Sequence, residues 1–142
     1  MKKAALILLL SVFVSGCDLG FPKMYVNYDN LPEGEIKESI TKTFPTPPRD
    51  EELRNLVLSR LKGNKTAENI QTIVSKMGMT CQVEKDICEY DGYVLTRATG
   101  LSSGSGRAKH IYQITISPQS GVDSLKVNKQ ISKDTEDTKK EN

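Results

Sequence analysis

The chain has 142 residues and carries 20 basic against 18 acidic side chains, a formal net charge of +2. This length favours a single domain, and the near balance of charge argues against the strongly basic domain that nucleic-acid binding usually requires. Two of the basic residues, Lys2 and Lys3, lie at the extreme N-terminus, so the remainder of the chain is expected to carry a net charge near zero.

The N-terminus has the pattern of an export signal. Lys2 and Lys3 precede the run 4–14, which is apolar except for one serine. A basic start followed by a short apolar run is typical of a secretory signal peptide. The run is shorter than the stretch of about 20 apolar residues that a membrane-spanning helix needs. Residues 1–16 are therefore predicted to be a signal peptide.

The predicted signal ends on Val14-Ser15-Gly16-Cys17, which resembles a bacterial lipobox. In that family the cysteine sulfur receives a diacylglyceryl group, the peptide is cut before the cysteine, and the new amine is usually acylated. The resemblance implies a bacterial cell-envelope protein that faces the periplasm and is held in the lipid bilayer by acylated Cys17. An ordinary signal peptide with an incidental cysteine is the alternative. Asp18 resembles the signal that retains lipoproteins in the inner membrane of enteric bacteria, which favours the inner over the outer membrane.

Two further cysteines, Cys81 and Cys88, remain after Cys17. An even number in an exported protein favours a disulfide, and a tight hairpin between them would place them within bridging distance. A metal site is disfavoured because the chain has one histidine, His110, and no second cysteine pair. Redox chemistry is disfavoured because the spacing is not C-x-x-C. Free thiols stay open as an alternative, and no metal or cofactor is predicted.

Residues 17–48 are predicted to be a lipidated tether, because this segment is proline-rich and shows no sustained periodicity. A flexible segment of this length would have an end-to-end distance of roughly 30 Å. A short helical turn is expected within 35–41, where Ile36 and Ile40 are four residues apart. The apolar and aromatic cluster between Phe21 and Tyr28 suits packing on the protein's own domain, docking of a partner, or disorder.

Two amphipathic helices open the predicted domain, residues 49–131. The first begins at Asp50 and ends before Gly63, and the second begins at Thr66 and ends at Gly78. Apolar residues recur at helical spacing on one face of each helix. They are Leu53, Leu56, Val57 and Leu61 in the first helix, and Ile70, Ile73, Val74 and Met77 in the second.

After Gly78 the pattern becomes that of strands. The segment 79–90 holds the cysteine pair, and Asp91-Gly92 is predicted to be a hairpin turn. Further strands are expected at 93–99, 108–117 and 122–131, and residues 132–142 form a disordered charged tail. Because helices and strands are segregated in the sequence, we predict an α+β fold. Two helices would precede an antiparallel meander of three or four strands in a two-layer sandwich.

One group of side chains is a candidate binding patch. It consists of Arg97, Arg107, Lys109 and His110, which paired strands would gather beside the glycine-serine loop 100–107. Such a patch suits an acidic protein or an anionic polymer, and an ordinary solvated sheet edge is the alternative. Gly100–Gly104 matches the G-x-S-x-G pattern of serine hydrolases, but that mechanism needs a strand, a strained turn and a helix in a larger α/β sheet. No catalytic residue is assigned.

The order of lipobox, proline-bearing tether, two short helices and antiparallel meander resembles the SmpA/OmlA-type outer-membrane assembly lipoproteins. The resemblance lies in 61–66, which forms a leucine–glycine–threonine turn, in Ile70, Ile73 and Val74 of the following helix, and in the helix-ending Met77-Gly78. It implies a non-catalytic scaffold that binds another envelope protein through its sheet or tether. Members of that family reside in the outer membrane, which conflicts with the expectation from Asp18.

Two other function classes compete with a scaffold. A small inhibitor or toxin-immunity lipoprotein acting against a secreted enzyme would use the glycine-serine loop and the basic edge as its inserting element. An envelope hydrolase is disfavoured, because a complete set of nucleophile, base and orienting group cannot be assembled from the sequence. We therefore predict a protein-binding module that is not an enzyme, with no nucleic-acid partner and no small-molecule substrate.

Overall fold

A computed structural model describes residues 23–99 and 106–133, which form three α-helices and a five-stranded antiparallel sheet. The predicted α+β class is confirmed, although the arrangement has three helices where two were expected. Residues 1–22, which include the predicted signal peptide 1–16, Cys17 and Asp18, lie outside the described residues, as do the loop 100–105 and residues 134–142. None of the helices in the described ranges is long and apolar enough to cross a membrane.

The elements follow one another in the order β1-α1-α2-α3-β2-β3-β4-β5. Their bounds are β1 Lys23–Asn27, α1 Glu35–Thr43, α2 Asp50–Leu61, α3 Ala67–Lys76, β2 Thr80–Gln82, β3 Ile87–Thr99, β4 Gly106–Ile116 and β5 Lys126–Lys133. The strands lie in the order β1-β3-β4-β5, and β2 pairs with the beginning of β3. Strands β3, β4 and β5 form the predicted meander, whereas β1 and β2 share the other edge of β3.

Residues 23–48 belong to the fold, so the predicted tether is wrong for this segment. Strand β1 pairs antiparallel with the end of β3, with Lys23 opposite Thr99. Helix α1 extends the short helical turn that the sequence indicated, and it buries Ile36 and Ile40 completely. The prolines lie outside these two elements and bound α1, which is where proline is tolerated. Proline content therefore marked the ends of short elements and not a flexible segment.

The apolar and aromatic cluster near β1 divides between packing and exposure. Val26 and Tyr28 are partly buried against the core. The Tyr28 ring contacts the Phe44 ring edge-on, with centroids 5.8 Å apart. Met24 and Tyr25 are exposed. Part of the cluster thus packs on the protein's own domain, which is one of the three alternatives considered for it.

Helices α2 and α3 form where the periodicity placed them. Arg49 is the N-cap of α2, one residue before the predicted Asp50, and its backbone N–H donates to the Glu52 carboxylate at 2.8 Å. In α3 the predicted cap is present, since Thr66 Oγ1 accepts a hydrogen bond from the Asn69 N–H at 3.3 Å. Gly63 follows α2 with φ 81°, a value that costs glycine little and other residues more.

One core joins the three helices to one face of the sheet. Every second residue is buried from Cys88 to Val94 of β3 and from Tyr112 to Ile116 of β4. The inward residues on these strands are Cys88, Tyr90, Val94, Tyr112, Ile114 and Ile116. Helix α2 packs on β5, and α3 packs on β2 and β3. Arg54 of α2 also donates to the Leu125 carbonyl at 2.6 Å, just before β5.

The predicted turn at Asp91-Gly92 is absent, because β3 continues through both residues. Gly92 has a different role, since a Cβ there would lie 2.7 Å from Pro32 Cδ and 3.0 Å from the Asn30 carbonyl oxygen. The Tyr93 N–H donates to that same Asn30 carbonyl at 3.2 Å. The glycine therefore admits the segment that leads into α1 close against the strand.

The Cys81–Cys88 disulfide is present and joins β2 to β3. The two cysteines are register partners across a hairpin, as predicted. The hairpin turns through Val83–Lys85 and then Asp86, which has φ 48°. The Asp86 carboxylate accepts hydrogen bonds from the Ser117 hydroxyl and, at 3.0 Å, from the Gln119 N–H. These bonds tie the disulfide hairpin to the connection between β4 and β5.

Candidate functional site

The two faces of the sheet differ in what lies against them. The helices pack on one face, and the side chains on the opposite face alternate with the buried ones. We call this second surface the open face. Its residues on the two central strands are Glu89, Asp91, Tyr93, Leu95 and Arg97 on β3, and Arg107, Lys109, Ile111, Gln113 and Thr115 on β4.

The structure divides the candidate binding patch between the two faces. Arg97 is the register partner of Arg107, and Lys109 lies two residues further along β4, so these three side chains share the open face. His110 follows Lys109 directly and therefore points to the helix side. Arg97 is exposed, whereas Arg107 and Lys109 are half-buried. The basic cluster is thus real but contains three of its four predicted members.

His110 packs as a half-buried ring on the helix side. The Phe44 ring meets it edge-on with centroids 5.5 Å apart, and Thr96 Oγ1 lies 3.3 Å from Nε2. Burial lowers the pKa of His110, and the positive charge of Lys129 lowers it further. His110 Nδ1 is buried without a hydrogen-bond partner among the described residues. These surroundings favour a neutral imidazole at neutral pH.

An apolar stripe that the sequence analysis missed occupies the middle of the open face. Tyr93 is the register partner of Ile111, and Leu95 lies two residues beyond Tyr93 on the same face. All three are half-buried. Lys109 Nζ lies 4.0 Å from the centroid of the Tyr93 ring, within the range of a cation–π contact. The available signal was parity, since these apolar residues occupy strand positions that alternate with the core.

Two concave regions lie toward the other end of the strands. Glu89, Asp91, Gln113, Lys126 and Asn128 line a shallow cleft of about 310 Å³ on the open face. The charge therefore changes along the strands, from basic at Arg97 and Lys109 to two carboxylates and one lysine here. A second cleft of about 480 Å³ lies between the α2–α3 turn and the β4–β5 connection. Its apolar floor and charged rim are formed by Leu58, Leu61, Ile70, Lys62, Lys65 and Asp123.

The open face has the chemistry of a binding surface. It offers an aromatic ring with a cation over it, two aliphatic side chains, and donors and acceptors on either side. Within 23–99 and 106–133, the acidic, histidine and cysteine side chains do not gather into a group of three that would hold a metal ion. The Gly100–Gly104 motif lies in the loop outside the described residues. Comparison with known proteins finds no matching family model, no similar curated protein and no similar solved structure.

Proposed function

We propose that this protein is a bacterial lipoprotein anchored through acylated Cys17, and that its folded domain is a non-catalytic module that binds another envelope protein. The lipobox at 14–17 supports the anchor, and it directs the domain to the periplasm. Asp18 favours the inner membrane. The resemblance of 61–78 to assembly lipoproteins of the SmpA/OmlA type supports a scaffold role.

The observation that carries the binding role is the apolar stripe on the open face, formed by Tyr93, Leu95 and Ile111. Contiguous apolar groups rimmed by polar residues are typical of sites that contact other proteins. Tyrosine is also enriched at the energetically important centres of protein interfaces. Lys109 lies over the Tyr93 ring at the border of the stripe, so the fitting partner places an acidic side chain beside its apolar centre.

Site-specific photocrosslinking in living cells tests this role. A photoreactive phenylalanine analogue at Ile111 is expected to capture one envelope protein, whereas the same analogue at exposed Glu51 of α2 is the matched control. Tyr93→Ser combined with Lys109→Glu should abolish the crosslink from position 111. Capture from position 51 alone, or capture from position 111 that the double variant leaves intact, contradicts the proposed surface. Capture of a secreted enzyme would instead indicate that the protein is an inhibitor and not a scaffold.

The anchor has a test of its own. Cells fed a radioactive fatty acid should label the unaltered chain, and Cys17→Ser should remove the label and leave the precursor uncleaved. Equal labelling of the Cys17→Ser variant contradicts lipidation at this residue. Because this readout does not depend on any partner, it separates failure of the anchor from failure of the binding surface.

A further inference from the structure

One end of the sheet extends past the helices. We call it the overhang: the strand ends 23–26, 95–99, 106–109 and 131–133, which are neighbours in the sheet. The last completely buried residue of β3 before the overhang is Val94. Thr99, at the end of the strand, is five residues further along, which corresponds to about 17 Å of extended chain. Beyond Val94 the helix side of β3 becomes progressively more exposed, from half-buried Thr96, whose register partner Val26 packs against the core, to exposed Ala98.

The overhang is apolar as well as exposed. Met24 is 54% exposed, Tyr25 59% and Ile131 61%, and they are three of the five large apolar side chains that are exposed in the described part of the chain. Met24 belongs to the helix side of the sheet by register, opposite Ala98. Ile131 lies on the same side at the inner boundary of the overhang, opposite His110 and on the edge strand β5. Further along, that side is buried. At Met24 and Ile131 that side is exposed, whereas Val26 of β1, which packs against the core, is partly buried. Among the described residues, both faces are therefore accessible at the outer part of the overhang.

The overhang is also uniformly basic. It carries Lys23, Arg97, Arg107, Lys109 and Lys133, and its four strand ends contain no acidic residue. The opposite end of the sheet carries acidic side chains such as Glu89 and Asp91. The domain is thus polarised along its strands although the chain as a whole is nearly neutral.

The overhang is where the chain enters the fold from the lipobox. Strand β1 begins at Lys23, six residues after Cys17. A fully extended chain of six residues spans at most about 20 Å. If Cys17 is inserted in a bilayer, the start of β1 is held within that distance of it. The stand-off that a tether through residue 48 would have allowed is not available to this domain.

We infer that the overhang lies on the bilayer that holds Cys17 and contacts its anionic phospholipid head groups. The inference rests on the proposed lipid anchor. Lys and Arg near an anionic membrane surface are attracted to it within a Debye length. Tyrosine favours the membrane interface, and the exposed Met24 and Ile131 supply apolar contact there. In this orientation the strands lead away from the membrane, and the open face with Tyr93 and Ile111 stands to one side, accessible to a partner.

Vesicle binding by the chain from residue 17 with Cys17→Ser tests the contact without the lipid. Vesicles of phosphatidylglycerol and phosphatidylethanolamine in a ratio of about 1:3 should bind this protein at low salt, and binding should weaken as salt is raised. Vesicles of phosphatidylcholine should bind it far less. Equal binding to both compositions, or no sedimentation with the anionic vesicles, overturns the inference.

A matched pair of triple variants locates the contact. Lys23→Gln, Arg97→Gln and Lys133→Gln together should weaken binding to the anionic vesicles on the order of 100-fold. The control removes three exposed positive charges far from the overhang, through Lys62→Gln, Lys65→Gln and Lys126→Gln. It should change binding much less. Equal losses in the two variants would show attraction to net charge alone and would overturn the assigned site.

Two further arms distinguish a membrane from other occupants. Met24→Ser with Ile131→Ser keeps every charge, so it should weaken vesicle binding while leaving retention on a heparin column unchanged. Unchanged vesicle binding would indicate a general polyanion site and overturn the inference. Asp134, Glu136 and Asp137 follow β5 in the sequence. If only a chain shortened to end at Lys133 binds the anionic vesicles, the tail itself occupies the overhang, and the inference is overturned.

Discussion

The overhang and the helix-covered half of the sheet are built from the same strands and differ in almost everything else. In the covered half, Val94 and Tyr112 are completely buried. In the overhang, Met24 and Ile131 occupy the same face and are more than half exposed. Burial of apolar surface stabilises the first region but does not explain why the strands extend into the second. The strands are therefore longer than the core requires, and the part that extends past the core carries basic and apolar side chains.

The largest effect expected from this comparison comes from the paired substitutions Ile40→Ala and Ile131→Ala. Ile40 lies buried in α1, so its truncation should lower the free energy of unfolding by about 2–5 kcal/mol. Ile131 is exposed in the overhang, so the same truncation should stay within about 0.5 kcal/mol. Urea denaturation measures both values. If both truncations change the unfolding free energy only slightly, residues 23–48 would be a tether and not part of the folded domain.

Removal of the disulfide should weaken the covered half by an intermediate amount. Cys81→Ser with Cys88→Ala avoids a buried hydroxyl, because Cys88 is completely buried and Cys81 only partly. For a loop this short, the chain-entropy model gives a loss of about 2.5 kcal/mol. The control is reductant, which should lower the urea midpoint of the unaltered protein and not that of the double variant. A reductant-insensitive midpoint in both proteins contradicts a structural role.

A pair of glycine substitutions contrasts the two regions at the level of backbone packing. Gly92→Ala should cost about 1–3 kcal/mol, because the added Cβ meets Pro32 and Asn30 at or within 3.0 Å. Gly106→Ala in the overhang meets no atom within 4 Å of the added Cβ, so it should be close to neutral. Thermal unfolding distinguishes the two. A neutral Gly92→Ala would mean that residues 30–32 do not pack against β3.

The smallest effect concerns His110, which lies at the border between the regions. Its pKa is lowered in the folded state, chiefly by burial, so the unfolded chain binds the proton more tightly. The contribution of the neutral ring to stability is complete above the ordinary pKa of 6.5. It is lost as the pH falls from there through the lowered folded value. The difference in unfolding free energy between the unaltered protein and His110→Gln should therefore change with pH across this window, and parallel curves contradict the assignment.

The sequence was sufficient where one period dominated a segment. Helices α2 and α3 and strand β4 follow from runs of apolar residues at helical or alternating spacing. Strand β1 was missed and helix α1 was predicted only as a short turn, because both elements are short and lie between prolines. Their stability comes from partners distant in the chain, such as the backbone hydrogen bond from Ile36 N–H to the Met77 carbonyl. A local pattern carries no information about such contacts.

The basic patch was predictable in part for a related reason. Strand parity alone places Lys109 and His110 on opposite faces, so the sequence already contained the evidence against grouping them. It did not contain the register of β1 on β3, which sets Tyr25 beside Arg97. The Asp91-Gly92 turn failed for a tertiary reason as well, because the glycine serves a close approach by residues 30–32.

The most direct test of the account is the depth of each end of the lipidated protein at the membrane. Ile131→Cys in β5 and Val122→Cys in the turn before β5 each provide an exposed labelling site. The extended chain between Leu125 and position 131 separates the two positions by on the order of 20 Å. A fluorophore on each is read in anionic vesicles whose head groups carry a nitroxide quencher. We predict strong quenching of the fluorophore at position 131 and little quenching at position 122. Equal quenching at both positions, or stronger quenching at 122, would contradict this prediction.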